Sequence, residues 1–149
     1  MLPALAPVLV FADISKTAGA TATGMVDTKG FDFCQINLVE ATANVVSNKP
    51  TVLKITESDT TNLTDAAAIV AFTGGVALSA TVGFVIATAN TSVTTQTPFN
   101  IDLRGRKRYL FLSVSPATTQ IVGAWGFLGR GEISPITAAQ AAVKQFIEG

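Results

Sequence analysis

Histidine is absent from this chain of 149 residues, and cysteine occurs once, as Cys34. Without histidine the chain lacks the commonest general base and the commonest metal ligand of proteins. A single thiol forms neither an intrachain disulfide nor a cysteine metal site, and its place among alternating apolar residues is typical of a buried, inert cysteine. No G-x-S-x-G, P-loop or G-x-G-x-x-G motif is present. We therefore expect no enzyme activity, no cofactor and no required metal.

Charge is also scarce. Charged residues make up 13% of the chain, and ten Lys and Arg balance ten Asp and Glu, so the formal net charge is zero. Binding to nucleic acid through its backbone needs a positive field, so this balance argues against a nucleic-acid partner. Hydrophobic residues reach 48%, and we expect part of that apolar surface to be covered by protein partners.

The fold class follows from the many β-branched residues and from short apolar runs separated by turn residues. The predicted strands cover residues 31–41, 51–58, 66–72, 82–87, 99–103, 109–115 and 118–128, with a polar loop over residues 90–97. Short strands at this spacing predict an all-β protein, a jelly-roll-like β-sandwich over residues 26–131.

Two flanking segments complete the predicted organisation. Residues 1–25 are predicted as an extended N-terminal arm and flexible linker, because Pro3 and Pro7 disfavour helix. Residues 132–149 are predicted to form a tail with a short helix from Thr137 to Ile147. The arm is rich in apolar residues, and we expect Leu2 to Phe11 to pack on a neighbouring chain and not on its own domain. Its candidate interface residues are Leu2, Leu5, Leu9 and Phe11.

The densest charge cluster lies between the strands at 99–103 and 109–115. Arg104, Arg106, Lys107 and Arg108 place four positive charges within five residues. One interpretation is an electrostatic contact with an acidic protein surface. The other is a hairpin turn that its charges keep soluble, and both stay open at this point.

An uncharged stretch from Ala66 to Ala89 is long enough for a membrane helix. Gly74 and Gly75 interrupt it, and neither Trp nor Tyr nor a basic residue marks its ends. Two buried strands around a Gly-Gly turn are the preferred interpretation, so no membrane partner is expected.

An acidic turn could supply oxygen ligands to Ca²⁺, which binds several at once. It comprises Glu57, Asp59, Asn62 and Asp65. The spacing lacks the alternating register of a calcium loop and a dedicated bidentate Glu, so a polar turn without metal is preferred.

Three segments of the chain are similar, in order and spacing, to segments of one known family. They are Val26–Phe33 (VDTKGFDF), Leu53–Asp59 (LKITESD) and Asn100–Leu110 (NIDLRGRKRYL). On these segments the chain resembles small virion structural proteins of tailed bacteriophages, of the capsid cement or decoration type. The resemblance covers about residues 26 to 130, and none of its motifs is catalytic.

The resemblance implies a β-sandwich that sits on the capsid surface of the virion, after synthesis in the host cytoplasm, and locks neighbouring shell subunits together. Its partners would be the major capsid protein and further copies of itself, with a homotrimer preferred over a dimer by family analogy. A head–tail junction or tail protein is the first alternative. The second is a virion carbohydrate-binding β-sandwich, which would need exposed aromatic residues, and these are scarce in a chain with one Trp and one Tyr.

Overall fold

The structure, a computed structural model, describes residues 5–41, 50–72 and 94–130. Its strands form two four-stranded antiparallel sheets, sheet A in the order β1-β8-β3-β6 and sheet B in the order β2-β7-β4-β5. The strands are β1 (Leu5–Lys16), β2 (Ala22–Asp27), β3 (Phe33–Glu40), β4 (Val52–Ser58), β5 (Ala67–Ala68), β6 (Thr95–Asp102), β7 (Tyr109–Ser115) and β8 (Gln120–Gly129). Two 3₁₀ helices, Leu63–Asp65 and Val70–Phe72, flank β5. The prediction of an all-β sandwich is confirmed.

Alternation along each strand sends one set of side chains into the space between the sheets. Successive residues of a strand point to opposite faces, and Cys34, Ile36 and Leu38 of β3 are all fully buried. Leu53 and Ile55 of β4 reach the same core from sheet B. The largest fully buried apolar side chains of the core are Ile36, Leu38, Leu53, Ile55, Ile69, Ile101, Leu110 and Leu112.

Strand β7 lies inside sheet B, between β2 and β4. Leu110, Leu112 and Val114 point into the core, and every residue from Leu110 to Ser115 is buried. A strand that pairs on both edges and is covered on both faces tolerates little change, because each side chain already has neighbours in contact.

The N-terminal segment differs from its prediction. Residues Leu5 to Lys16 pair antiparallel with β8 of the same chain, so the expectation that Leu2 to Phe11 does not pack on its own domain is wrong for Leu5 to Phe11. Ala6 and Val10 are buried in the core, and Pro7 is compatible with strand pairing because an edge strand needs ladder hydrogen bonds on one side only. The predicted boundary between residues 25 and 26 falls inside β2.

Three other features also differ from their predictions. The predicted strand at 66–72 consists of the two-residue β5 and a 3₁₀ helix. Strand β6 begins at Thr95, inside the segment predicted as a polar loop. Residues 103–108 link β6 of sheet A to β7 of sheet B, so they cross between the sheets and do not form a hairpin turn. Local patterns cannot distinguish these two kinds of connection, because both need the same turn residues.

Some predictions fall outside the described residues. These are the predictions for Leu2, for the strand at 82–87 and for the C-terminal helix from Thr137 to Ile147. Among the residues that the structure describes, no helix has the length and apolar character needed to span a membrane.

The packing of β7 leads to a test with two leucines. Replacing Leu112, which is fully buried, with Ala should lower the free energy of unfolding by about 2–5 kcal/mol, because a cavity replaces the side chain. Leu9→Ala, at a position where the leucine is 65% exposed, should change it by less than about 0.5 kcal/mol. Chemical denaturation of both variants measures the difference. Equal losses would contradict the core assignment.

Candidate functional site

The four apolar interface candidates of the N-terminal segment do not act together. Leu5 and Leu9 point to solvent from the outer face of sheet A, whereas Phe11 is partly buried against the core. Leu2 lies outside the described residues. The bulges of β1 explain this split, because register shifts between Leu9 and Phe11 and between Phe11 and Ile14 interrupt the regular alternation.

Aromatic side chains extend this exposed leucine pair across the outer face of sheet A. Trp125 is the register partner of Leu9 and is 40% exposed. Its ring packs edge to face against the ring of Phe127, with the two ring centroids 5.4 Å apart. Leu5 and Phe33 both lie over Gly129, in the space that a larger side chain would fill. A Cβ atom on Gly129 would be 3.3 Å from Leu5 Cδ2 and 3.8 Å from Phe33 Cδ1. We call Leu5, Leu9, Phe33, Trp125 and Phe127 the sheet A strip.

Side-chain amides occupy the neighbouring half of the same face. Gln35 Nε2 donates to Asn100 Oδ1 at 2.9 Å, and Gln96 Nε2 donates to Asn37 Oδ1 at 3.0 Å. Asn37 is the register partner of Trp125. Its Nδ2 is buried and has no hydrogen-bond partner among the described residues. The outer face of sheet A therefore has an apolar half on β1, β8 and the first residue of β3, and an amide half on the rest of β3 and on β6.

Sequence reasoning missed the aromatic part of this face. Phe33 carries a usable signal, because it shares its strand face with the polar Gln35. Trp125 and Phe127 carry none, since after Gln120 both faces of β8 are apolar or glycine in the sequence, and alternation alone does not show which face enters the core.

The basic residues lie in a segment that we call the basic connection, Leu103 to Arg108. All four of its cations have a carboxylate partner. The pairs are Arg104 Nη2–Asp102 Oδ2 at 2.7 Å, Arg106 Nη1–Glu57 Oε1 at 3.6 Å, Lys107 Nζ–Asp59 Oδ2 at 3.8 Å and Arg108 Nη2–Asp27 Oδ2 at 2.7 Å. Because both sheets supply these acids, the pairs hold the crossover against the end of the sandwich.

Arg108 makes the most extensive of these contacts. Its guanidinium binds Asp27 through two parallel hydrogen bonds, Nε to Oδ1 at 2.9 Å and Nη2 to Oδ2 at 2.7 Å, and lies 4.8 Å from the centre of the Tyr109 ring. Its carbonyl accepts hydrogen bonds from the backbone N–H and the hydroxyl of Thr28. The hydrogen bond with Arg108 lowers the pKa of Asp27, and that with Arg104 lowers the pKa of Asp102 to about 2.

The acidic turn is occupied by contacts within the chain. Glu57 accepts from the backbone N–H of Lys107 at 3.2 Å, Asn62 accepts from that of Thr64 at 3.1 Å, and Asp65 accepts from the Thr60 hydroxyl at 3.1 Å. Over residues 5–41, 50–72 and 94–130, no group of three or more His, Cys, Asp or Glu side chains is placed to hold a metal ion.

Cys34 is fully buried in β3, facing the core. Burial raises the pKa of its thiol to about 12, because the thiolate would lose its hydration. The predicted buried state of this cysteine is confirmed, and the thiol is held in its unreactive protonated form.

Comparison with known proteins returned no match to a family model, to a curated protein or to a solved structure. The relationship to phage virion proteins therefore stays a prediction that rests on the sequence segments.

The carboxylates that pair with the cations of the basic connection predict how stability depends on pH. The pKa values of Asp27 and Asp102 are lower in the folded chain than their ordinary value of 3.8, so their contribution is present above that pH and is lost as the pH falls towards 2. The thermal unfolding midpoint should fall over this window, and in Asp27→Asn the fall should be shallower.

Asp59→Asn is the matched control, because it removes a carboxylate whose ion pair is longer and exposed. Its midpoint should follow the pH as the wild type does. Identical pH profiles for the wild type and Asp27→Asn would show that the Asp27–Arg108 pair does not contribute to stability.

Proposed function

We propose that this protein is a structural component of a tailed-bacteriophage virion, a capsid cement protein that binds the assembled shell and stabilises contacts between major capsid subunits. The observation that carries the proposal is the sheet A strip, an exposed apolar surface on a rigid sheet. Leu9 and Trp125 lie side by side within it. The resemblance of three sequence segments to the cement family is independent support.

A jelly-roll topology is part of this proposal. The strand orders β1-β8-β3-β6 and β2-β7-β4-β5 support it, because consecutive strands alternate between the sheets except at β4 and β5. Eight strands arranged as two such four-stranded sheets are the pattern of double-sheet jelly rolls, which are frequent in viral capsid domains.

Burial of the strip would supply the binding free energy. Each large apolar side chain that becomes fully buried contributes about 1.5–3 kcal/mol. A ligand that binds only the assembled shell stabilises that state by mass action, so many copies on one shell add up to a large effect. This mechanism needs no catalytic group, in keeping with a chain without histidine.

Of the two roles that the sequence left open for the basic residues, this proposal gives the basic connection the structural one. Its four cations are already paired with carboxylates of the same chain, so little unbalanced charge remains to attract an acidic partner. We assign it to holding the end of the sandwich, and we place shell binding on the sheet A strip.

Self-association is a further part of the proposal. Strand β1 is an edge strand of sheet A, and exposed edges invite pairing with another chain. A homo-oligomer would use this edge, and the trimer is preferred only through the family analogy.

A saccharide-binding role is the second candidate, and one observation favours it. The exposed Trp125 is the register partner of Asn37, and the hydrogen-bonded amides of Gln35 and Asn100 lie on the same sheet face. An aromatic face with convergent hydrogen-bonding groups is the combination by which proteins bind small polar ligands.

The cement proposal predicts the effect of a charge within the strip. Leu9→Lys should weaken binding to shells assembled from the major capsid protein of the same phage by about tenfold or more, because an apolar contact is lost and a charge is buried. Co-sedimentation of purified protein with assembled shells measures the occupancy at increasing protein concentration.

Leu63→Lys is the matched control, since Leu63 is an exposed leucine on the other side of the sandwich, and it should bind shells as the wild type does. Equal occupancy for the wild type and Leu9→Lys would contradict docking through the strip. Absence of shell binding by the wild type, together with saccharide-dependent quenching of Trp125 fluorescence, would favour the second candidate.

A further inference from the structure

A groove of about 440 Å³ lies on the outer face of sheet B, on the opposite side of the sandwich from the sheet A strip. Strands β2, β4 and β7 form its floor. The segment that follows β4 contributes Leu63 and Ala66 to its wall. The volume lies within the range of about 300–1,000 Å³ that is typical of small-molecule sites.

Three polar residues form one row across the floor. Lys54 of β4 is the register partner of Ser113 of β7, which is in turn the partner of Thr23 of β2. The hydroxyls of Thr23 and Ser113 are 3.1 Å apart. Since one hydroxyl proton serves that contact, the other can be donated to a ligand above the row.

A second observation points to a ligand. Thr56, two positions along β4 from Lys54 and on the same face, also lines the groove. It is 6% exposed, and its Oγ1 is buried without a hydrogen-bond partner among the described residues. A buried hydroxyl that lacks a partner is costly, so a rotation of the Thr56 side chain that brought Oγ1 to a polar ligand in the groove would remove this cost.

We propose that the groove binds a small organic oxyanion, a carboxylate or a phosphate ester. Its oxygens lie over the row of Lys54, Ser113 and Thr23, and its apolar part lies against Val52 and Leu63. This site goes beyond the proposed capsid function and uses the other sheet.

The chemistry of the lining selects this class of ligand. The polar groups of the described lining residues are one ammonium and four hydroxyls, with no carboxylate among them. A ligand rich in acceptors matches this set, since charge-assisted hydrogen bonds from an ammonium to an oxyanion are the strongest it can make. A cationic ligand would be repelled by Lys54.

Titrations of the full chain test the proposal. Inorganic phosphate and butyrate are added separately at constant ionic strength, with chloride as the reference ion, and backbone amide NMR shifts are followed. We expect saturable shifts at Thr23, Lys54 and Ser113, and about tenfold or greater weakening in Lys54→Met. Lys29→Met makes the same charge change on the loop between β2 and β3 and should bind as the wild type does.

The two probes separate the sources of the oxyanion. Saturation by phosphate alone identifies a phosphate ester, and saturation by butyrate alone identifies a carboxylate. Groove shifts that never saturate, or equal weakening by Lys54→Met and Lys29→Met, would overturn the proposal. If Lys54→Met does not fold, Thr23→Val decides: it removes one donor and should weaken binding several-fold, and unchanged binding would overturn the site.

Discussion

The register of β8 between β1 and β3 determines the outer surface of sheet A. Each residue of β8 from Val122 to Gly129 is paired on β3, and most are also paired on β1. A slip of one residue would send Trp125 and Phe127 into the core and turn Ala124 and Leu128 to solvent. The large bulk of the aromatic rings would not fit the space that Ala124 and Gly126 leave for the facing sheet. The exposed aromatic strip is therefore a consequence of how the core is filled.

The two outer faces have different chemistry, and this difference organises the proposals. Sheet A presents the apolar strip beside side-chain amides, which suits contact with another macromolecule. Sheet B presents hydroxyls and Lys54 around a groove, which suits a small acceptor-rich ligand. The basic connection lies at the end of the sandwich, where Asp27 and Glu57 of sheet B neutralise cations on the crossover from sheet A. Charge thus supports the fold, while the faces are available for binding.

The sequence predicted the strands with clear alternation, and the structure explains which ones it missed. Strands β3 and β4 could be read because Ile36, Leu38, Leu53 and Ile55 repeat with period two between polar residues. The N-terminal segment from Leu5 to Ala12 is apolar throughout, without alternation, and its prolines resemble those of an arm. Only pairing with β8 shows that it is an edge strand. The sheet to which each strand belongs depends on contacts distant in sequence, so the crossover at Leu103 to Arg108 could not be told from a hairpin. The candidate surface was half predictable: Leu5 and Leu9 were identified, whereas Trp125 required the register of β8.

The single buried thiol gives the protein an internal reporter of its own opening. Cys34 pairs with neighbours on both sides, Ile101 of β6 and Leu128 of β8, and its side chain faces the core. A thiol reagent in solution can reach it only when these strands separate. The rate of thiol modification therefore measures how often sheet A opens, not how often the reagent collides with the protein surface. Because the chain has no other cysteine, the native protein can report its opening without any engineered residue, both free in solution and within an assembly.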